Sequence, residues 1–451
     1  MIKVKPSNPK GVRDFLPAEQ ERRQYIIQIL QKHFELFGYQ SIYTPSFERF
    51  ETLAGKYGEE GDKLFFKILN SGNFLEKRGQ SIIPELEQNL NAPQKTAGLV
   101  SEKGLRYDHT VPLARFVSQY QNELIFPFKR YAIGPVWRAD RPQKGRYQEF
   151  FQCDIDIVGT SGIEAEIEII DLIQNVYKAL GIEVKILCNH KDLFYGLCKK
   201  YEIDSRQTDV ATIIDKWEKI GVDEVRIQLN DLFESHSEQI DLFLNDISNP
   251  NLLDQIQPDN EFLKIGIDAI NELRKLTPLQ SVKITNQLVR GLDYYTGFVF
   301  EVVCKQMEYG SIGGGGRYDA LTEVFGLKNM NGIGFSFGLD RIYDVMETLD
   351  LFPKFENKQH ILVLNIDKEA LSKNLDIVKK LREHGICAFL FPTLSKIDKQ
   401  LSYADKMGIS KAIIIGSEEL KTEKVIIKNL KKRTQELVSF DLAIDNLLET
   451  E

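Results

Sequence analysis

Long apolar runs are missing from this chain. None reaches the roughly 18 residues that a membrane-spanning helix needs, so no contact with a bilayer is expected. The N-terminal stretch MIKVKPSNPKGVRDF has no apolar core of the signal-peptide kind. Cysteine is scarce: the five residues at 153, 188, 198, 304 and 387 are scattered and odd in number, which argues against a disulfide framework. Free thiols suit a reducing compartment, and a cytoplasmic location is expected. Basic charge is not in excess either. The net charge of −8 gives no global signature for nucleic acid. Internal repeats and low-complexity segments are also lacking.

What is present describes a globular protein of several domains. The length of 451 residues exceeds what one ordinary core holds and suits two or three domains. The acidic excess lies before residue 359. The part after it is near neutral and carries the run Lys431-Lys432-Arg433, which alone is as well explained by a solvated turn. Pro17 to Phe37 has apolar residues at helical spacing, with Pro17 in a first-turn position and Gly38 as a C-terminal cap. A second helix is expected from about Ser161, where Ser161 and Glu164 have capping-box spacing, to Gly181. Aromatic and β-branched stretches at 129–137, 147–158, 297–304 and 332–338 read as strands without a helix after each, hence an antiparallel sheet and an α+β fold. Residues 190–280 are polar and helical, as an insertion would be. After a linker at 346–360, strands at 361–366, 387–391 and 411–416 alternate with helices at 371–385 and about 394–408. That pattern predicts a small α/β domain with a mixed sheet.

Several segments carry candidate chemistry. In the strand at 150–157, Phe151, Cys153, Ile155 and Ile157 form an apolar face, while Phe150, Gln152, Asp154 and Asp156 form the other. Two carboxylates, an amide and an aromatic could line a pocket for a planar cationic ligand; a solvent-facing strand has the same pattern. Just before it, Arg138, Arg141, Lys144 and Arg146 crowd a turn shaped by Pro142 and Gly145. Arginine forks hold two phosphate oxygens at once, so a phosphate-binding loop is one reading and a solvated hairpin the other. GSIGGGGRYD (310–319) is glycine-rich but is neither a P-loop nor a dinucleotide fingerprint. Cys188, His190 and Cys198 are of metal-ligating types, yet their spacing matches no ligand pair, and no metal site is expected.

Together these segments resemble the three motifs of the class II aminoacyl-tRNA synthetases. GYQSIYTPSFE (38–48), centred on Pro45, resembles the first, a dimer-interface element. KRYAIGPVWRADRPQKGRYQEFFQ (129–152) resembles the second and GIGFSFGLDR (332–341) the third. RGLDYYTG (290–297), GGGGRYD (313–319) and RYDHTVP (106–112) are similar to signatures of the histidine-specific members. The resemblance implies an antiparallel catalytic sheet flanked by helices. Its first part would span 1–189 and its second 283–350, with a helical insertion at 190–282 and an α/β anticodon-binding domain at 359–451. It implies ATP-dependent activation of L-histidine, with Mg²⁺ bound alongside ATP, then transfer to the 3′ end of tRNA(His) by a homodimer.

By position, the resemblance also implies roles. Arg138 would hold the ATP α-phosphate and the substrate carboxylate. Asp140 and Arg146 would order the loop around ATP. Phe150 would stack on adenine, and Arg341 would hold the γ-phosphate and cover the other adenine face. Asp108, Thr110 and Gln152 would bind the α-amino group of histidine, and Asp156 and Tyr295 would bracket its imidazole. Arg290 would approach the α-phosphate opposite Arg138 as a second catalytic cation, and Tyr294 belongs to the histidine-binding set. Two positions depart from the pattern. His109 stands where a leucine or glycine is usual and, in an extended segment, would point away from Asp108 and Thr110. Ala139 stands where many relatives carry Arg or His. The alternative reading is a synthetase-like regulatory subunit of ATP phosphoribosyltransferase, which typically lacks the anticodon domain and much of the catalytic set. An amide ligase on the same fold is a third.

Overall fold

The computed structural model describes residues 5–55, 63–73, 82–91, 93–143, 145–277, 282–289, 295–319, 321–355, 360–440 and 442–448. The backbone divides into two compact units, Met1–Phe352 and Pro353–Glu451.

The first unit is built on a sheet of eight strands: β1 (Gln40–Ser41), β2 (Phe128–Trp137), β3 (Glu149–Val158), β4 (Val184–His190), β5 (Val282–Ile284), β6 (Phe298–Cys304), β7 (Ser311–Tyr318) and β8 (Gly332–Gly338). Their spatial order is β1-β2-β3-β8-β7-β6-β4-β5. The expected antiparallel pairing holds through the middle. At the two edges, β1 on β2 and β5 on β4 pair in parallel, so the sheet is mixed.

One face of the sheet is covered by helices α1 (Pro17–Leu36), α2 (Glu164–Ala179) and α3 (Leu339–Thr348). Ile26, Leu30 and Phe34 of α1 and Ile169, Ile173 and Val176 of α2 pack with Cys153, Ile155 and Ile157 of β3 in one buried core. The period of two along β3 is what sends these three side chains to that face. α1 starts at Pro17, whose missing N–H costs nothing in a first turn, and stops before Gly38 at φ 81°. α2 does not begin at Ser161. It starts at Glu164, with Ile163 as N-cap and no side-chain capping bond. The reason is Arg317 on β7, whose guanidinium donates to the carbonyls of Thr160 and Gly162 and to both carboxylate oxygens of Glu166. Those bonds hold 160–162 in a non-helical loop.

Between β4 and β5 run helices Lys191–Lys200, Gln207–Ile214, Trp217–Leu232, Ser237–Ser248 and Glu261–Leu276. Their buried residues, such as Leu193, Phe243 and Leu273, belong to the same core as the sheet.

The second unit has a five-stranded sheet in the order Ala388–Leu390, Ile361–Val363, Lys411–Ile414, Lys424–Asn429, Thr434–Ser439. The first three strands are parallel and the last two antiparallel additions. Helices Leu371–Glu383 and Ile397–Lys406 connect the parallel strands.

Candidate active site

The face of the large sheet opposite α1 and α2 carries the polar residues. Cross-strand register sets them side by side. Arg130, Ala132 and Gly134 of β2 pair with Asp156, Asp154 and Gln152 of β3. These in turn pair with Gly334, Ser336 and Gly338 of β8. Gly334 and Ser336 pair with Gly316 and Gly314 of β7. Glycine at these positions leaves a floor with few side chains, and neighbouring groups lie directly on it. A Cβ at Gly334 would stand 2.1 Å from Asp156 Oδ1, and one at Gly316 would stand 2.8 Å from the Tyr295 ring. Asp156 and Tyr295 therefore sit over directly paired glycines of adjacent strands, whose backbones run about 5 Å apart.

Asp156 is buried, and Tyr318 Oη donates to its Oδ1 at 2.6 Å. Its Oδ2 lies 2.5 Å from Arg130 Nη2, an ion pair with no exposure on the arginine side. Burial pushes the Asp156 carboxyl up to about 6 against the lowering effect of Arg130 and Tyr318. Gln152 Nε2 donates to Ser336 Oγ at 2.8 Å. Asp108 Oδ1 accepts the N–H groups of Thr110 and Val111, each at 3.1 Å, and so starts the helix Thr110–Gln119. That corrects the extended reading of 106–112, since Thr110 is already helical. His109 is buried, with its ring against Gly134 on the site face and Nε2 3.3 Å from the Gly134 carbonyl. Burial, with Arg106 and Arg130 nearby, presses its pKa down to about 3, so the imidazole stays neutral.

The cation-rich segment lies where β2 and β3 are joined. Arg138 is half-buried. Its Nε donates to the Tyr107 carbonyl at 3.2 Å, and its guanidinium carbon lies 4.2 Å from the Tyr107 ring centre and 5.2 Å from that of Phe150. Flat rings around a guanidinium keep its charge while restricting its motion. Arg146 Nη2 lies 2.9 Å from Asp140 Oδ1, and Asp140 is buried where Arg146 is exposed. Ala139, lacking a polar side chain, uses its backbone N–H on the Leu64 carbonyl at 2.6 Å. Arg341 opens the first turn of α3 beside Gly338 and donates to the Ser311 carbonyl at 2.5 Å. Lys144, Arg290 and Tyr294 lie outside the described residues.

Sequence reasoning missed Arg130, Tyr318 and Ser336 as neighbours of the predicted set. Arg130 alternates correctly in KRYAIG to share the face of Asp156. The register that brings the two together is a property of strand pairing, however, and only Tyr318, inside GGGGRYD, carried a local signal. Among the described residues no group of three His, Cys, Asp or Glu side chains could hold a metal ion.

A family model for histidyl-tRNA synthetase matches residues 11–76 and 100–342, and one for an anticodon binding domain matches 360–450. Among curated proteins, a histidine–tRNA ligase of Flavobacterium johnsoniae is 44% identical, covering 97% of this chain and 98% of its own length. One from Porphyromonas gingivalis is 43% identical with the same coverage. Among solved structures, a histidyl-tRNA synthetase of a Nostoc species superposes with a TM-score of 0.74 at 26% identity, over 99% of this chain and 100% of that one. An ATP phosphoribosyltransferase regulatory subunit/histidyl-tRNA synthetase from Bacillus halodurans shares the fold at 22% identity and a TM-score of 0.69, covering 89% and 97% of the two chains. Matched along both units and at this identity over nearly the whole length, the chain belongs to the histidyl-tRNA synthetase family.

Proposed function

We infer that this enzyme activates L-histidine with ATP to histidyl-adenylate and transfers the histidine to tRNA(His). The observation that carries the reading is the juxtaposition of Gln152, Asp156 and Tyr295 on one sheet face, with Asp108 close to them in the turn before the helix Thr110–Gln119 and Arg138 against the Tyr107 and Phe150 rings. The histidine carboxylate is already ionised, so no protein base is needed for its in-line attack on the α-phosphorus, and pyrophosphate leaves. Negative charge on the phosphoryl oxygens is met by fixed cations, and positioning does most of the work. Arg138 takes this role, with Arg290 as the second catalytic cation. Phe150 and Arg341 hold the adenine and γ-phosphate ends, and Asp140 steadies Arg146 in the loop around ATP. Mg²⁺, arriving with ATP as part of the nucleotide substrate, would supply countercharge to its phosphates. The regulatory-subunit alternative is disfavoured by the match of residues 360–450 to an anticodon binding domain. Histidine-dependent ATP–pyrophosphate exchange followed by charging of tRNA is the deciding assay.

Asp156 and Tyr295 select the ring. In Asp156→Asn or Tyr295→Phe the KM for histidine rises much more than the KM for ATP, because each removes a partner for the imidazole. Equal effects on both substrates in steady-state exchange would place the pocket elsewhere. A ring lacking either nitrogen forfeits its hydrogen bond to Asp156 or to Tyr295, and rejection by such sites reaches about 10⁴-fold.

The second unit reads tRNA. A chain ending at Pro353 still forms histidyl-adenylate but charges tRNA poorly, with oligomeric state checked in parallel. Full charging efficiency in the shortened chain contradicts this.

The enzyme acts as a homodimer through the surface around Pro45. There Tyr43 is 77% exposed and Phe47 49%, beside an open groove lined by Tyr43, Pro45, Glu48, Arg115 and Tyr120. Apolar rings of this size left in water are the mark of a contact surface, and a second copy related by a two-fold axis covers both patches at once. Sedimentation equilibrium distinguishes this from a stable, active monomer.

A further inference from the structure

β3 sends a third polar side chain to the site face, and the histidine and ATP contacts already assigned do not involve it. Asp154 lies between Gln152 and Asp156, with Ala132 across from it on β2 and Ser336 on β8. It is 3% exposed, and its Oδ1 has no hydrogen-bond partner. Its neighbour Asp156 is provided for by Tyr318 and Arg130. The Gln152 Oε1 is also buried without a partner, since only the Nε2 of that amide is engaged, on Ser336. A buried carboxylate oxygen without a donor is costly, and such a group in a native fold asks for an explanation.

The charges around Asp154 point the same way. Facing it are Arg130 from β2, Asp156 from its own strand, Asp108 from the turn before the helix Thr110–Gln119, and the neutral hydroxyl of Ser336. Arg106 also feels the Asp154 charge, with its Nε on the Pro135 carbonyl and its Nη1 on the Thr44 carbonyl. His109 beside them is neutral. Three carboxylates face two guanidinium groups, so the pocket is short of one positive charge and holds two idle acceptors.

We propose that Asp154 is a specificity-determining residue that binds the α-ammonium group of the amino-acid substrate, together with Asp108 and the Gln152 carbonyl. The proposal rests on the histidine-activating reading above. An ammonium group brings one charge and three N–H donors, which matches three acceptors and the missing charge. Burial pushes the Asp154 carboxyl up to about 7, with Asp156 and Asp108 adding to the rise and Arg130 and Ser336 opposing it. The Asp154 carboxyl therefore carries a proton below neutral pH and gives it up above. The arriving ammonium stabilises the carboxylate, and that proton leaves to solvent. Histidine affinity accordingly rises with pH from about 6 to 8.

Calorimetric titration of the full-length protein tests this with three ligands. L-Histidine has the ammonium, imidazole and carboxylate groups, L-histidinol lacks only the carboxylate, and imidazole propionate lacks only the ammonium. In Asp154→Asn, and in Asp154→Ser as a second neutral variant, histidine and histidinol bind about 10–100-fold more weakly, the range for losing a charged hydrogen bond. Imidazole propionate changes less than two-fold, the KM for ATP is unaltered, and the pH dependence of histidine binding flattens. Equal losses for all three ligands, or none for any, overturn the proposal. A parent protein without histidine-dependent exchange overturns the underlying reading instead, whereas an active parent with unaffected variants overturns only the role of Asp154.

Discussion

Arg138→Ala lowers the rate of adenylate formation by about 10²–10³-fold, the usual consequence of removing one preorganised donor from developing charge. The side chain is prepared for that task before substrate arrives. Its Nε is fixed on the Tyr107 carbonyl, and its guanidinium lies against the Tyr107 and Phe150 rings. The remaining donors are thereby aimed without loss of charge. Because the charge grows in the transition state, rate suffers more than substrate binding. Arg138→Lys recovers only part of the rate, since a point charge has no second arm and stacks poorly on the rings. Arg290→Ala has an effect of the same order if the two arginines oppose each other across the α-phosphate. Single-turnover adenylate formation, with thermal unfolding as control, measures this. A rate within a few-fold of the parent removes Arg138 from the catalytic set.

Arg130→Met destabilises the protein by about 3–5 kcal/mol, the scale for stripping one partner from a buried ion pair. Arg130 has no exposure. It lies 2.5 Å from Asp156 and donates to the His109 carbonyl at 3.3 Å. Without it, Asp156 loses its ion-pair partner, and both Asp154 and Asp156 stay buried without the cation that most favours their charged forms. The sign of the pH dependence follows. Burial already raises both carboxyls above their ordinary value of 3.8, and Arg130 opposes that rise. Removing Arg130 raises them further, so the folded variant binds more protons than the unfolded chain across the acidic range. Its deficit is largest above the folded pKa values and shrinks as pH falls toward 4. Urea denaturation at pH 7 and pH 5 reads this directly. The double variant Arg130→Met, Asp156→Asn regains part of the loss at pH 7, because it no longer buries that uncompensated charge. A deficit below about 1 kcal/mol, or one that grows at pH 5, contradicts the ion-pair account.

The parts of this molecule that were readable from sequence are those decided by neighbours along the chain. The two-residue period of 150–157 placed Cys153, Ile155 and Ile157 in the core and Gln152, Asp154 and Asp156 on the site face. Pro17 and Gly38 bracketed the first helix within two residues. The misreadings come from distant partners. Ser161 and Glu164 have capping spacing, but Arg317, far along the chain, claims the carbonyls of that loop. His109 stands in a segment that looks extended until Asp108 caps the next turn. The parallel edge pairings of β1 and β5 depend on how the chain returns to the sheet, which no local pattern encodes. The same limit hid the pairing of Arg130 with Asp156, and with it the reason that Asp154, not Asp156, keeps an idle oxygen.

Asp340 ties early and late segments of the first unit together. Arg13 reaches its Oδ1 at 2.5 Å across 327 positions of sequence, Arg23 reaches the same oxygen, and its Oδ2 accepts the backbone N–H of Phe151. The first helix and the strand it covers thus wait for a carboxylate that the ribosome adds late. At about 5–20 residues per second, the interval between Arg13 and Asp340 is roughly 16–65 s. From the synthesis of β3 until Gly332 is added, β3 has no β8 to pair with, and its open edge carries Cys153, Ile155 and Ile157 on one face. Exposed strand edges of this kind invite pairing with other chains. A nascent chain stalled within the helical insertion is therefore expected to expose this strand edge, and its release at that point to yield aggregate in place of a half-enzyme.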